Sequence, residues 1–245
     1  MRKLSEIVVR SAKRIYQDII PVALFSMTGA IVFVPFVFFL PIGISLVFLP
    51  FVAVPLAAGA LHATHRMMKG EKPRLAAMFA GVWKFALPSI AFAFVCSIFI
   101  LIIVSTWWYY GGKSGMLYFV LAVFQTYFVS MVLVSQLYAL PLVVQEGAGV
   151  FTAMGRSVKL FLAHPVYTIG AFVQLLSLTV LLGVTVIGFA ALYLGMYGIY
   201  ANEVTANVLA KPERDDEDGG RPADEARTDR AAGRDRFETA SALGN

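Results

Sequence analysis

The stretch "IIPVALFSMTGAIVFVPFVFFLPIGISLVFLPFVAVPLAAGAL", residues 19–61, holds 43 residues and no Asp, Glu, Lys, Arg or His. Crossing a bilayer core takes about 20 apolar residues of helix, so this run is too long for one span and suits two. In lipid, such a run can satisfy its own N–H and C=O groups only as helix. Its apolar residues are continuous, where barrel strands would alternate. Pro41, Ile42 and Gly43 supply helix-stopping residues near its middle. The reading is span 1 at 20–40 and span 2 at 44–65. Pro50 and Pro55 either kink span 2 or form the turn themselves.

The same logic extends outward. Lys84 and Lys113 enclose 28 uncharged residues, and Lys113 and Glu146 enclose 32, one span each. Lys159 and Glu203 enclose 43 more, broken only by His164. They read as spans at 165–183 and 188–209 around a turn at Gly183–Gly188. The expected fold is all-α, a polytopic transmembrane bundle of six spans in three hairpins over 19–209. Residues 1–18 form an amphipathic surface helix, and 210–245 form a disordered charged tail. Composition agrees. The chain is 59% apolar and 14% charged, against about half and a quarter in soluble domains, which excludes both a soluble globular chain and a disordered one. A single cysteine, Cys96, excludes a disulfide framework or a Cys-based zinc site.

Cytoplasmic loops collect Lys and Arg. The N-terminal segment carries Arg2, Lys3, Arg10, Lys13 and Arg14. The connection after span 2 carries Arg66, Lys69, Lys72, Arg74 and Lys84, and the one after span 4 carries Arg156 and Lys159. The opposite turns hold Lys113 alone. The chain is therefore expected in the cytoplasmic membrane with both termini on its cytoplasmic side. Trp107, Trp108, Tyr109 and Tyr110 stand where an outer aromatic belt would. No cleavable leader is expected; span 1 reads as a retained anchor.

An amphipathic stretch precedes each hairpin. Leu4, Ile7, Val8, Ala12 and Ile15 share one helical face; Leu75, Met78, Phe79, Val82 and Trp83 share another; Val150, Phe151, Met154, Val158, Phe161 and Leu162 a third. Such helices lie in the interface with basic side chains toward anionic lipid headgroups. Pro21, Pro88 and Pro165 follow them. The pattern is either a threefold repeat or the ordinary look of basic pre-membrane segments. From Lys211 on, the chain holds seven basic and ten acidic residues with almost no large apolar ones, as a solvated tail does.

The chemical inventory is thin. There is no phosphate-binding glycine loop, nucleophile elbow or zincin motif, so no catalytic residue, cofactor or metal site is expected. His62 and His65 share a helix face, but no third ligand stands near them in sequence, and they read as interfacial caps. His164 reads the same way, and Cys96 reads as packing. Glu203 lies about 22 Å along span 6 by helix rise, near its inner end, and either serves a pathway or pairs with a loop Arg or Lys. Gln125, Thr126, Ser130, Ser135 and Gln136 string along span 4, and Gln174, Ser177 and Thr179 along span 5. They are either interhelical hydrogen-bonding groups or the lining of a cavity for a neutral solute. Gln125, Ser130, Gln136, Gln174 and Glu203 are the candidate cavity residues. Gly59-x-x-x-Ala63 and Ala191-x-x-x-Gly195 permit close helix approach.

Three segments taken in order resemble the YesL-like family of bacterial membrane proteins: "FLPFVAVPLAAGALHATHRMMKGEKP" (48–73), "LAAMFAGVWKFALPS" (75–89) and "QLYALPLVVQEGAGVFTAMGRSVKLFLAHPVYTIG" (136–170). The resemblance spans residues 1–210. The first hairpin departs from it in being longer and richer in proline. The resemblance implies no catalytic residues, and it associates the chain with carbohydrate utilisation. The expected function is a non-enzymatic accessory or scaffold for a membrane complex, with lipid and another membrane protein as partners and no nucleic acid. The alternative is a small carrier for a neutral solute such as a sugar.

Overall fold

A computed structural model describes residues 3–39, 42–72, 74–113 and 115–210. The described residues up to Ala206 form one compact unit, and the last turn of the final helix falls outside it. The described residues are helical throughout, with no strand among them. In order the helices are α1 (Leu4–Gln17), α2 (Ile19–Phe39), α3 (Ile42–Met68), α4 (Leu75–Lys84), α5 (Ala86–Tyr110), α6 (Met116–Ser135), α7 (Ala139–Glu146), α8 (Val150–Ala163), α9 (Pro165–Val184) and α10 (Val186–Leu209). Four stretches among the described residues are long and apolar enough to cross a membrane: Phe48–Met68, Ala86–Tyr110, Met116–Glu146 and Pro165–Val184. A fifth follows if α1 and the first part of α2, bent by 87° at their junction, count as one broken span.

Three junctions share one construction. α1 passes to α2 through Asp18, α4 to α5 through Phe85, and α8 to α9 through His164. Each break residue has φ between −105° and −137° with positive ψ. Each donates its N–H back to the preceding helix (to the carbonyls of Arg14, Gly81 and Leu160) and offers its own carbonyl to the next (to Val22, Ser89 and Thr168). Pro21, Pro88 and Pro165 stand in the first turn of the new helix. There a missing N–H costs nothing, because first-turn amides have no intrahelical acceptor. The three amphipathic stretches are thus separate helices, each opening a unit of surface helix, break and long helix.

The prolines of the first run do not end the helix: Pro50 and Pro55 lie inside α3. The expected turn at 41–43 falls partly on Pro41, outside the described residues, and Gly43 is already helical. The last turn is tighter than expected. Thr185 alone separates α9 from α10. Span 4 departs further, since Gln136, Leu137 and Tyr138 form a turn between α6 and α7. Its amides reach back only three residues, Gln136 to Leu133 and Leu137 to Val134, the tighter bonding of a 3₁₀ turn. The charged tail of the sequence reading begins at Lys211, outside the described residues.

Burial is uneven. The core gathers at one end of α3 (Leu56 to Thr64), through α7 (Ala139 to Val144) and in α10 (Ile199 to Thr205). By contrast α5, α6 and α9 leave long rows of Leu, Val, Ile and Phe exposed, Leu101, Phe124 and Leu181 among them. Water would not leave so large an apolar surface uncovered. α3 packs against α2, α4, α5 and α7. The Gly59-x-x-x-Ala63 pattern serves the short α4 rather than another span. A Cβ on Gly59 would stand 2.7 Å from the Met78 carbonyl oxygen, and one on Gly81 would stand 3.1 Å from the Gly59 Cα. Gly195 serves α2 in the same way: its Cβ would meet the Val22 carbonyl oxygen at 2.6 Å.

The surface helices turn differently from the sequence pattern. α1 buries Ile7 and Ser11, while Val8, Val9 and Tyr16 remain exposed. α4 buries Met78 and Gly81 and exposes Phe79 and Trp83. α8 buries Ala153, Ser157 and Phe161 and exposes Phe151 and Leu162. Each therefore packs a narrow stripe inward, partly polar in α1 and α8, and leaves apolar and aromatic side chains outward.

Candidate functional site: a polar junction on α10

Three helices, α3, α7 and α10, meet through one side chain. Asn202 is fully buried. Its Nδ2 donates to the Leu61 carbonyl and to Thr64 Oγ1, each at 2.9 Å. Its Oδ1 accepts from Gln145 Nε2 at 2.7 Å. Thr64 completes its own valence by donating to the Ala60 carbonyl at 2.8 Å. Every strong donor and acceptor of the Asn202 side chain is occupied, which is the condition for burying an amide at low cost.

The next residue turns to α1. Arg14 donates to Glu203 at 2.6 Å, and Arg10 stands 3.6 Å from the second carboxylate oxygen. Glu203 is 6% exposed, whereas the Arg14 side chain keeps 26% and the Arg10 side chain 50%. Two cations thus cover one nearly dry carboxylate, so that charge is not stranded. The sequence left Glu203 between a pathway role and a pair with a loop cation; the geometry places it in a pair, with the N-terminal helix as partner.

The remaining candidates are dispersed. Gln136 donates to Ser135 Oγ at 3.1 Å beside the α6–α7 turn. Gln174 accepts from the Tyr200 hydroxyl at 2.8 Å, and Tyr200 also reaches the Ala171 carbonyl. Gln125 and Ser130 are half-buried on α6. Among the described residues no hydrogen bond joins any two of the five. Two cavities adjoin other residues, one at the α3–α4 connection and one beside His164 and Pro165. None of the five lines either.

Several participants escaped the sequence reading. Ser157 donates to the Ser135 carbonyl and accepts from the Tyr138 amide. Tyr138 shares a 2.9 Å hydrogen bond with Thr168, which donates to the His164 carbonyl. These bonds fix the α6–α7 turn to α8 and α9. His62 lies against the Phe85 ring, centroids 5.5 Å apart, and so packs at the α4–α5 break. At the far end of α5, the Lys113 ammonium sits 3.7 Å from the Tyr109 ring centroid, within cation–π range. That contact also raises the Lys113 pKa, because the Tyr109 hydroxyl hydrogen-bonds it.

Compared with known protein families, curated proteins and solved structures, the chain matches none.

Proposed function

We propose that this chain is a six-span protein of the cytoplasmic membrane, paired as three hairpins with both termini inside. In this reading α2 and α10 are the spans added to the four apolar stretches. α10 carries the buried Asn202 and Glu203 at its end, and this lowers its apolar character without preventing insertion. Its role is that of a non-enzymatic accessory or scaffold for a membrane complex. The link to carbohydrate uptake or sensing follows the YesL-like resemblance.

One observation carries the proposal. Among the buried and half-buried polar groups of the long helices, Asn202 is taken up by Leu61, Thr64 and Gln145, Glu203 by Arg14, and Gln174 by Tyr200, while the Ser89, Ser97 and Thr205 hydroxyls and the Gln136 side-chain oxygen have no hydrogen-bond partner among the described residues. A solute pathway needs polar groups left facing a shared cavity; Asn202, Glu203 and Gln174 are engaged in holding helices together. The surfaces left open to a partner and to anionic lipid are the outward faces of α1, α4 and α8.

The test is cross-linking and co-purification of the tagged full chain from native membranes. A membrane protein recovered in stoichiometric amount, and lost in a Trp83→Ala/Phe151→Ala variant, is the expected result. Recovery of the chain alone, with solute flux in proteoliposomes that Gln125→Leu and Gln136→Leu abolish, would replace the scaffold by a carrier. Topology is tested separately with single engineered thiols at positions 70–80. They should resist impermeant reagents in sealed cells, and labelling there would reverse the orientation.

A further inference from the structure

The α3–α4 connection is built rather than loose. Gly70 takes φ +86°, the Glu71 amide donates to the Arg66 carbonyl at 3.2 Å, and the Gly70 amide donates to the Met67 carbonyl at 3.0 Å. This is a Schellman termination of α3, where a left-handed glycine lets the chain reverse. The Arg66 side chain then clasps Glu71 across the same turn, with Nε donating at 2.6 Å. The chain emerges as Lys72 and, two residues on, Arg74, the residue preceding α4.

Beside this turn lies a cavity of about 540 Å³, within the range of roughly 300–1,000 Å³ typical of small-molecule sites. Its charged lining is Arg66, Glu71, Lys72 and Arg74. Glu71 is committed to Arg66, while Lys72 and Arg74 have no acidic partner among the described residues. The rest of the wall is alanine, Ala63 from α3 and Ala76, Ala77 and Ala80 from α4. Small side chains on both helices hold the space open. The first turn of α4 has no acidic residue and no side-chain cap, so its amides add to the positive potential of the cationic side chains.

Two unpaired cations beside an apolar wall suit a ligand with a compact anion and an apolar body. The volume is several times that of a bare phosphate ion. We propose that this cavity binds the phosphate of an anionic headgroup, with Lys72 and Arg74 on the charge and the alanine wall against the apolar part. The inference rests on the membrane reading of the chain, not on its scaffold role.

The test uses the purified full chain in neutral detergent, with native mass spectrometry counting bound short-chain phosphatidylglycerol against phosphatidylcholine. Saturable binding of phosphatidylglycerol is expected. It should weaken at least tenfold in Lys72→Gln/Arg74→Gln, and comparably in Ala76→Leu/Ala80→Leu, which fills the space and keeps the charge. All four positions are exposed, so these variants should fold, and a thermal unfolding curve verifies it. Arg156→Gln, whose parent side chain is paired with Glu146 elsewhere, should leave binding unchanged. Inorganic phosphate supplies the second arm. Displacement of the lipid at comparable concentration, with the same dependence on the variants, assigns the site to a soluble phosphate source; failure to displace assigns it to lipid. Equal binding of both lipids, or undiminished binding in both double variants, overturns the proposal. If the chain still fractionates with membranes in that case, only the cavity assignment fails.

Discussion

Gln145 and Asn202, 57 residues apart, are joined by a 2.7 Å hydrogen bond from the Gln145 amide nitrogen to the Asn202 side-chain oxygen. Through it α7 holds α10, and the same asparagine holds α3 at Leu61 and Thr64. One side chain therefore ties together α3, α7 and α10.

Asn202→Leu should remove the side-chain acceptor of the Gln145 amide and the amide donor to Leu61 and Thr64, leaving Gln145 only its 3.3 Å bond to the residue-202 carbonyl and Thr64 its bond to Ala60. A loss of about 2–3 kcal/mol is expected in detergent unfolding, the cost of stranding buried polar groups. Gln145→Leu should cost less, since that side chain is only half-buried. The double-mutant cycle should show coupling of about 0.5–1.5 kcal/mol. Additive losses would mean that the two residues act independently.

Arg14 and Glu203 should respond unequally. Arg14→Gln leaves a carboxylate that is 6% exposed with only the more distant Arg10, so a loss of up to about 3–5 kcal/mol is expected. Glu203→Gln leaves a partly exposed guanidinium that can turn to solvent, and it should cost less. Both should free α1. A thiol placed by Ser11→Cys, at a position 2% exposed, should react slowly in the parent and at least tenfold faster in either variant. Equal reactivity would show that α1 does not depend on the pair.

Gly195→Ala drives a Cβ to within 2.6 Å of the Val22 carbonyl oxygen, and backbone cannot move aside cheaply. A destabilisation of about 1–3 kcal/mol is expected from overpacking. Gly155→Ala, inside α8 with nothing within 4 Å, should stabilise by about 0.5–1 kcal/mol through helix propensity alone. Thermal unfolding of the two variants side by side checks both signs.

The Arg66–Glu71 clasp should open in acid. The hydrogen bond from Arg66, aided by the positive charges of Arg66 and Lys69, holds the Glu71 carboxyl below its ordinary value of 4.5. A lowered carboxyl pKa means that the contribution is complete above the ordinary value and fades as pH falls through the lowered one. Hydrogen exchange at Gly70 and Glu71, corrected for intrinsic rate, should be slow and flat above pH 4.5 and faster below it. In Glu71→Gln the step should vanish. A step that persists would place the titration elsewhere.

The sequence was most informative where the controlling physics is local. Charge-free runs marked the long helices because each must satisfy its own backbone. Pro21, Pro88 and Pro165, noted in the sequence only as following the amphipathic stretches, fall in the first turns of α2, α5 and α9, where a missing amide leaves no intrahelical bond unmade. Pro50 and Pro55 left two readings open, a kink within span 2 or a turn of their own, and α3 continues through both, as spanning helices can when neighbours cover the freed carbonyls. The α6–α7 break went the other way. Its residues Gln136, Leu137 and Tyr138 carry no breaker, and the turn is held by Ser157 and Thr168 from other helices.

The sequence by itself determined an all-helical chain, its long apolar segments and three amphipathic helices leading into them, because hydrophobic length and periodicity are properties of consecutive residues. It left Glu203 between a pathway and a pair with a loop cation. Only the tertiary structure decided that Glu203 pairs with Arg14 and that Asn202 holds Thr64 and Gln145, at separations of 189, 138 and 57 residues. A buried amide or carboxylate requires a hydrogen-bonding group but does not specify which; the packing of the helices makes that choice.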